Sequence, residues 1–171
     1  MPGLAALRAL ARAGRAGAAR DRDVALTLDL AGVRVRLMRL GPGHTRGDTV
    51  MFVEEDGVLF SGDLTMKGLF PAFATPQSRS DTWLAGLDEM ERLQPRVVVG
   101  AHYDVGDASD IDAYRGYLKA LRARAAELKQ AGRSADEAGK ILVDEFKATY
   151  PGWAQPARVQ AGVAAVYREL P

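Results

Sequence analysis

From residue 24 onward apolar and polar positions alternate. Val24, Leu26, Leu28 and Leu30 are separated by Ala25, Thr27 and Asp29, the period of two that sends successive side chains to opposite faces of a strand. Ala31-Gly32 supplies a tight turn, and Val33, Val35 and Leu37 then alternate with Arg34 and Arg36. This pair is expected to form a hairpin with one covered face and one wetter face. A second hairpin is expected from Val50-Met51-Phe52-Val53 and Val58-Leu59-Phe60, joined through Glu54-Glu55-Asp56-Gly57, whose Asp-Gly is a turn signal. These two runs do not alternate, so both of their faces are expected to be covered. Arg96-Val97-Val98-Val99, led in by Pro95, has the same character.

Helical spacing takes over in the remainder. Asp81 is the expected N-cap of a helix carrying Leu84, Leu87, Met90 and Leu93 as its apolar stripe. A longer helix is expected from Asp110 to about Gln130, with Tyr114, Tyr117, Leu118, Leu121, Ala125 and Leu128 on one side and Gly132 as its stop. Arg122 and Arg124 fall on its solvated side. Ser134-Ala-Asp-Glu137 matches a capping box that opens a helix through about Lys147, and a last helix runs from about Pro156 to Glu169. Strands first, then strand and helix mixed, then helices give an α/β (α+β layered) class, a sheet with helices on an outer face. Residues 64–80, with Gly68, Pro71 and Pro76, form the one long irregular stretch and could act as a lid.

Composition changes this picture little. At 171 residues the chain is long enough for one domain with a sizeable core. A net charge of +1 gives no global field towards nucleic acid or an acidic membrane, and neither is expected as a partner. The absence of cysteine excludes disulfides and thiolate metal sites. No apolar run reaches the roughly 18–20 residues of a membrane helix. Residues 1–20, rich in Ala and Arg, read as a separate N-terminal segment, an Arg-bearing surface helix or an unstructured lead, ahead of a domain at 21–171. No secretory pattern is seen there, and a cytoplasmic location is the expectation.

The candidate chemistry sits at strand exits. His44 lies in Gly-Pro-Gly-His-Thr-Arg-Gly-Asp before one apolar strand, Asp63 ends Val-Leu-Phe-Ser-Gly-Asp, and His102 ends Val-Val-Val-Gly-Ala-His. Imidazole and carboxylate are the usual non-thiol ligands of zinc and similar ions, and a ligand at a strand exit inherits the rigidity of the sheet. Gly41, Gly43, Gly62 and Gly100 alongside allow close backbone approach. Asp48 is placed either to orient His44 through its second ring nitrogen or to hold the loop. Asp104 and Asp107 are expected to solvate the loop after His102 and cap the next helix. Phe70, Phe73 and Lys67 on the irregular stretch could touch substrate, but core packing of the rings and solvent exposure of Lys67 are the default expectation.

In this order and setting, these segments resemble the metallo-β-lactamase fold of metallo-hydrolases, over roughly residues 21–171. The resemblance implies an αββα sandwich and zinc, two ions in a complete member. It also implies that His44 completes one site, that His102 completes the other, and that Asp63 bridges them as the catalytic carboxylate. The parent reaction it implies is attack of zinc-bound hydroxide on a small-molecule ester, thioester, amide or phosphoester. The family's His-x-His-x-Asp-His segment has no counterpart, because no histidine precedes His44. The chain therefore resembles the C-terminal half of the fold, an apparently truncated domain, impaired as an enzyme alone and holding at most one weakly bound metal. The alternatives are a single-metal hydrolase using His44, Asp63 and His102, or a non-catalytic binding or scaffold module. Tyr103, where many members carry glycine, is expected to narrow the mouth of the site. Half a sandwich also leaves one sheet face, assigned to residues such as Val50, Phe52 and Phe60, without its partner layer. That predicts a homo-oligomer or a complementary chain over it.

Overall fold

The computed structural model describes residues 25–171; the Ala/Arg-rich segment 1–20 and Val24 lie outside them. Five strands form one mixed sheet in the order of the sequence: β1 (Ala25–Leu30), β2 (Val33–Arg39), β3 (Thr49–Val53), β4 (Val58–Gly62) and β5 (Val97–Gly100). The first four are antiparallel neighbours, and β5 joins β4 in parallel. The first hairpin turns as expected. Ala31 and Gly32 take φ of 57° and 93°, both left-handed as a two-residue hairpin of this hand requires, and the Asp29 carboxylate accepts the Gly32 amide at 3.0 Å.

Register decides which side chains share a face, and here the two faces differ in kind. One row across the sheet reads Leu28, Val35, Val53, Val58, Val97, and the next reads Leu26, Leu37, Met51, Phe60, Val99. Both rows are wholly apolar. On the opposite face the central row reads Thr27, Arg36, Phe52, Leu59, Val98, with Asp29 against Arg34 beside it. That face is apolar at β3 to β5 and at Met38 of β2, where the helices lie, and mostly polar over the rest of the first hairpin. Arg34 there is paired with Glu54 at 3.0 Å and Glu55 at 3.4 Å.

Four helices follow: α1 (Ser80–Arg92), α2 (Ala108–Gln130), α3 (Ala135–Thr149) and α4 (Arg158–Glu169). Their buried faces join Val50, Phe52, Leu59 and Val98 in one core, with Trp83, Leu87 and Met90 from α1 and Tyr114, Tyr117 and Leu121 from α2. Asp107 caps α2 in a reciprocal box with Asp110, and Ser134 does the same for α3 with Glu137. Gly132, at φ 77°, follows the end of α2.

Several expectations change. Val50 and Phe52 lie under the helices, 0% and 7% exposed, so among the described residues the face without a helical layer is the one bearing Met51 and Phe60. The second hairpin is therefore not covered on both sides: Phe60 is 38% exposed. The N-cap of α1 is Arg79 rather than Asp81. The irregular stretch after Asp63 is no loose lid, because Leu64, Met66, Leu69, Phe70 and Phe73 are all buried in the core. Arg122 does not lie in the solvent. Its guanidinium pairs at 2.5 Å with Glu169 from the last turn of α4, and Glu169 also accepts the Ser80 amide at 2.7 Å.

Candidate metal centre

His44 sits in the loop between β2 and β3, and that loop is fastened from several sides. The Asp48 carboxylate accepts the amides of Gly43 at 2.8 Å and Thr45 at 2.9 Å, one on each side of His44. It also accepts the Thr45 hydroxyl at 2.7 Å. Ser78 donates its hydroxyl to the His44 carbonyl at 2.5 Å, and Thr82 donates to the Pro42 carbonyl. Gly43 lies flat against the core: a Cβ there would fall 2.9 Å from both the Leu64 and the Trp83 side chains. Glycine is therefore required by space.

The imidazole is oriented by backbone, not by Asp48. His44 Nδ1 lies 2.6 Å from the Ala72 carbonyl oxygen. A carbonyl can only accept, so Nδ1 carries a proton and Nε2 faces the other way. Asp48 thus takes the loop-holding alternative, and the orienting role belongs to a peptide oxygen on the packed stretch after Asp63. A partner on the second ring nitrogen is what fixes the tautomer of metal-binding histidines.

Asp63 follows β4 at a sharp turn. Gly62 takes φ 58°, the Leu64 amide returns to the Ser61 carbonyl at 3.2 Å, and the Gly62 carbonyl accepts the Ala101 amide at 3.0 Å. Trp83 Nε1 donates to the Leu64 carbonyl at 3.0 Å. The β5 exit is pressed against the same turn, since a Cβ on Gly100 would meet the Thr65 carbonyl oxygen at 2.7 Å. His102 comes next, followed by Tyr103 at φ 68°. Tyr103 is 59% exposed, so its ring stands mostly in solvent instead of closing the mouth. Asp107 is committed to capping α2, where the Ser109 hydroxyl and amide hold its carboxyl below the usual range.

These placements bring the three donors together. Asp63 Oδ2 lies 3.8 Å from His44 Nε2, and Asp63 Oδ1 lies 3.5 Å from His102 Nε2. Two ligands of one tetrahedral zinc ion, each about 2.0–2.2 Å from it, are about 3.3–3.6 Å apart, so both spacings are of the order that shared coordination requires. The carboxylate turns one oxygen to each ring. The side chains grade from the interior outwards, 17% exposed at His44, 33% at Asp63 and 61% at His102. Among the described residues no group of three or more His, Asp or Glu side chains is arranged to hold an ion as it stands. The donors make two pairs that share Asp63, not one closed cage.

The fold agrees with the comparisons. The family model of the metallo-beta-lactamase superfamily matches residues 3–102, and the chain belongs to that superfamily, which carries a metal-dependent hydrolase fold. A metallo-beta-lactamase family protein of Thermus thermophilus superposes with a TM-score of 0.62 at 23% identity, over 86% of this chain and 48% of its own. A metallo-beta-lactamase from Pontibacter korlensis gives 0.50 at 20% identity, over 64% of this chain and 53% of its own. DIM-1 metallo-beta-lactamase gives 0.50 at 18% identity, over 65% and 53%. At these identities the likeness is one of fold, and the chain spans about half the length of these structures. No curated protein matches it. Among the described residues, no helix is long and apolar enough to cross a membrane.

Proposed function

We propose that His44, Asp63 and His102 are metal-binding donors of a hydrolase of this superfamily, with zinc as the ion and a small-molecule ester, thioester, amide or phosphoester as the substrate class. The observation that carries the reading is the carboxylate of Asp63 set between two imidazole nitrogens, one oxygen towards each at 3.8 and 3.5 Å. The donor set fits a zinc-type ion: neutral imidazole nitrogen and carboxylate oxygen are both zinc ligands, and the Ala72 carbonyl leaves His44 Nε2 free to coordinate. Nε2 faces a carboxylate oxygen across 3.8 Å there, and a divalent cation between them would be bound by both.

A bound divalent ion would supply the Lewis-acid charge that makes a water molecule acidic near neutral pH. The chain's own residues do the rest. Asp48 and Ser78 fix the loop, Ala72 fixes the ring, and the pressed β4 and β5 exits fix Asp63 against His102. Two pairs of donors fall short of the about three protein ligands per catalytic ion. Full activity on this reading therefore takes further ligands from outside residues 25–171.

Zinc content after loading and dialysis tests this. The wild-type chain is expected to retain zinc, and Asp63→Ala is expected to retain much less, because that one change removes a donor from both pairs. His44→Ala and His102→Ala should each lose part. Adding a polypeptide that bears His-x-His-x-Asp-His should raise both zinc content and hydrolysis. Equal zinc in wild type and Asp63→Ala would overturn the assignment.

A further inference from the structure

The sheet face turned away from the helices carries two complete apolar rows, with no charged side chain in either. Arg39 stands beyond them, at the β2 end, where its guanidinium donates to the Arg46 carbonyl at 3.1 Å. Of the apolar side chains on this face Val35 alone is buried; Leu30, Val33 and Phe60 are 47%, 40% and 38% exposed and the others are half-buried. The first hairpin makes this face more than a leftover of packing. Its helix-side positions are Ala25, Thr27, Asp29, Arg34, Arg36 and Met38; of these only Met38 is buried in the core, and Arg34 and Arg36 are both paired with Glu54. All its leucines and its valines point the other way. A hairpin in this position with its polar positions towards the helical side and every leucine and valine outward, Met38 being its one core contact, is built to be covered on the outward face.

We propose that this face docks a second copy of the chain, sheet on sheet, around a twofold axis. The cover must be apolar and uncharged, and the chain's own two rows meet that condition; a twofold axis sets them against themselves. Two sheets packed this way lie about 10 Å apart with their inner side chains interdigitated. The face spans about 24 Å across five strands and about 17 Å along them. Two such faces bury on the order of 1,000–1,200 Å², the lower end of specific interfaces. Two copies also bring the total chain length close to that of the Thermus thermophilus protein, of which one copy spans 48%. The proposal stands apart from the metal reading, since no donor residue lies on the face.

Sedimentation of the full 171-residue chain at tens of micromolar tests it. The wild type is expected at twice 18.4 kDa. Val33→Asp and Phe60→Asp are each expected to give monomers with unchanged circular dichroism. Both residues are exposed in the protomer, so charge there costs the fold little; should Phe60→Asp unfold, Val33→Asp at the hairpin end carries the test. A wild-type monomer overturns the proposal, as does a dimer that both changes leave intact. A monomer that dimerises only after residues 1–24 are removed overturns it too, and gives the face to that segment.

Discussion

The indole of Trp83 touches both halves of the candidate centre. Its ring lies under Gly43, one residue from His44, and its Nε1 proton goes to the Leu64 carbonyl, one residue from Asp63. Phe73 and Tyr114 close around it, at ring distances of 5.2 and 6.5 Å. Replacing Trp83 by Phe keeps most of the apolar contact but leaves a buried carbonyl without its donor, a loss of about 1–3 kcal/mol. Urea unfolding of Trp83→Phe should show that cost with an unchanged m-value; a cost below about 0.5 kcal/mol would mean that the Leu64 carbonyl finds another donor. At this scale the sequence is informative about candidate donors and silent about their supports. His44, Asp63 and His102 stand out because their side chains are rare or charged and each follows an apolar run. The Ala72 carbonyl cannot stand out, since every residue has one, and only the folded path of the stretch after Asp63 brings it to a ring 28 positions away.

At the scale of elements, periodicity finds the five strands and four helices of the described residues, with ends off by a few residues. Which face a strand residue joins is less accessible. The four-residue connection at 54–57 pairs Val53 with Val58, and that register sets Phe60 opposite Met51 and away from Val50 and Phe52. One residue more or less in the connection would reverse the outcome. Arg122 shows the same limit on a helix: its own turn looks solvated, and its partner Glu169 arrives from an element 47 residues on. A second guanidinium fixes α2 to α3, where Arg124 meets Glu145 at 3.0 and 2.8 Å. The Arg124 hydrogen bond holds the Glu145 carboxyl below its ordinary value of 4.5. A carboxylate depressed in the folded state stabilises above the unfolded value and ceases to as pH falls through the folded one. Both side chains are more than a third exposed, so the contribution is about 0.5 kcal/mol after screening. Glu145→Gln should be less stable than wild type by about that much at neutral pH, with the difference lost at a pH well below 4.5. A difference of equal size at both pH values would trace it to packing instead.

At the scale of the whole molecule, the described residues place one helical layer on one face of one sheet, with the candidate centre at the exits of β4 and β5 and in the loop leading into β3. The centre and the bare face therefore belong to different surfaces, and association and metal uptake should be separable by substitution. The character of the face also fixes how association responds to salt. With no charge on either apolar row, screening has nothing to weaken. The dimer dissociation constant is expected to stay level or fall as sodium chloride is raised from about 0.05 to 0.5 M. A rise of tenfold or more would point to ion pairs and to a different surface.

The neighbourhood of Trp83 has one more consequence. Its ring centre lies 6.3 Å from that of His44, edge to face, and the only other tryptophan is Trp153. Any change in the charge or position of that imidazole falls within the electronic reach of a native fluorophore. The protein carries its own optical gauge of what occupies residue 44, and no dye need be attached to read it.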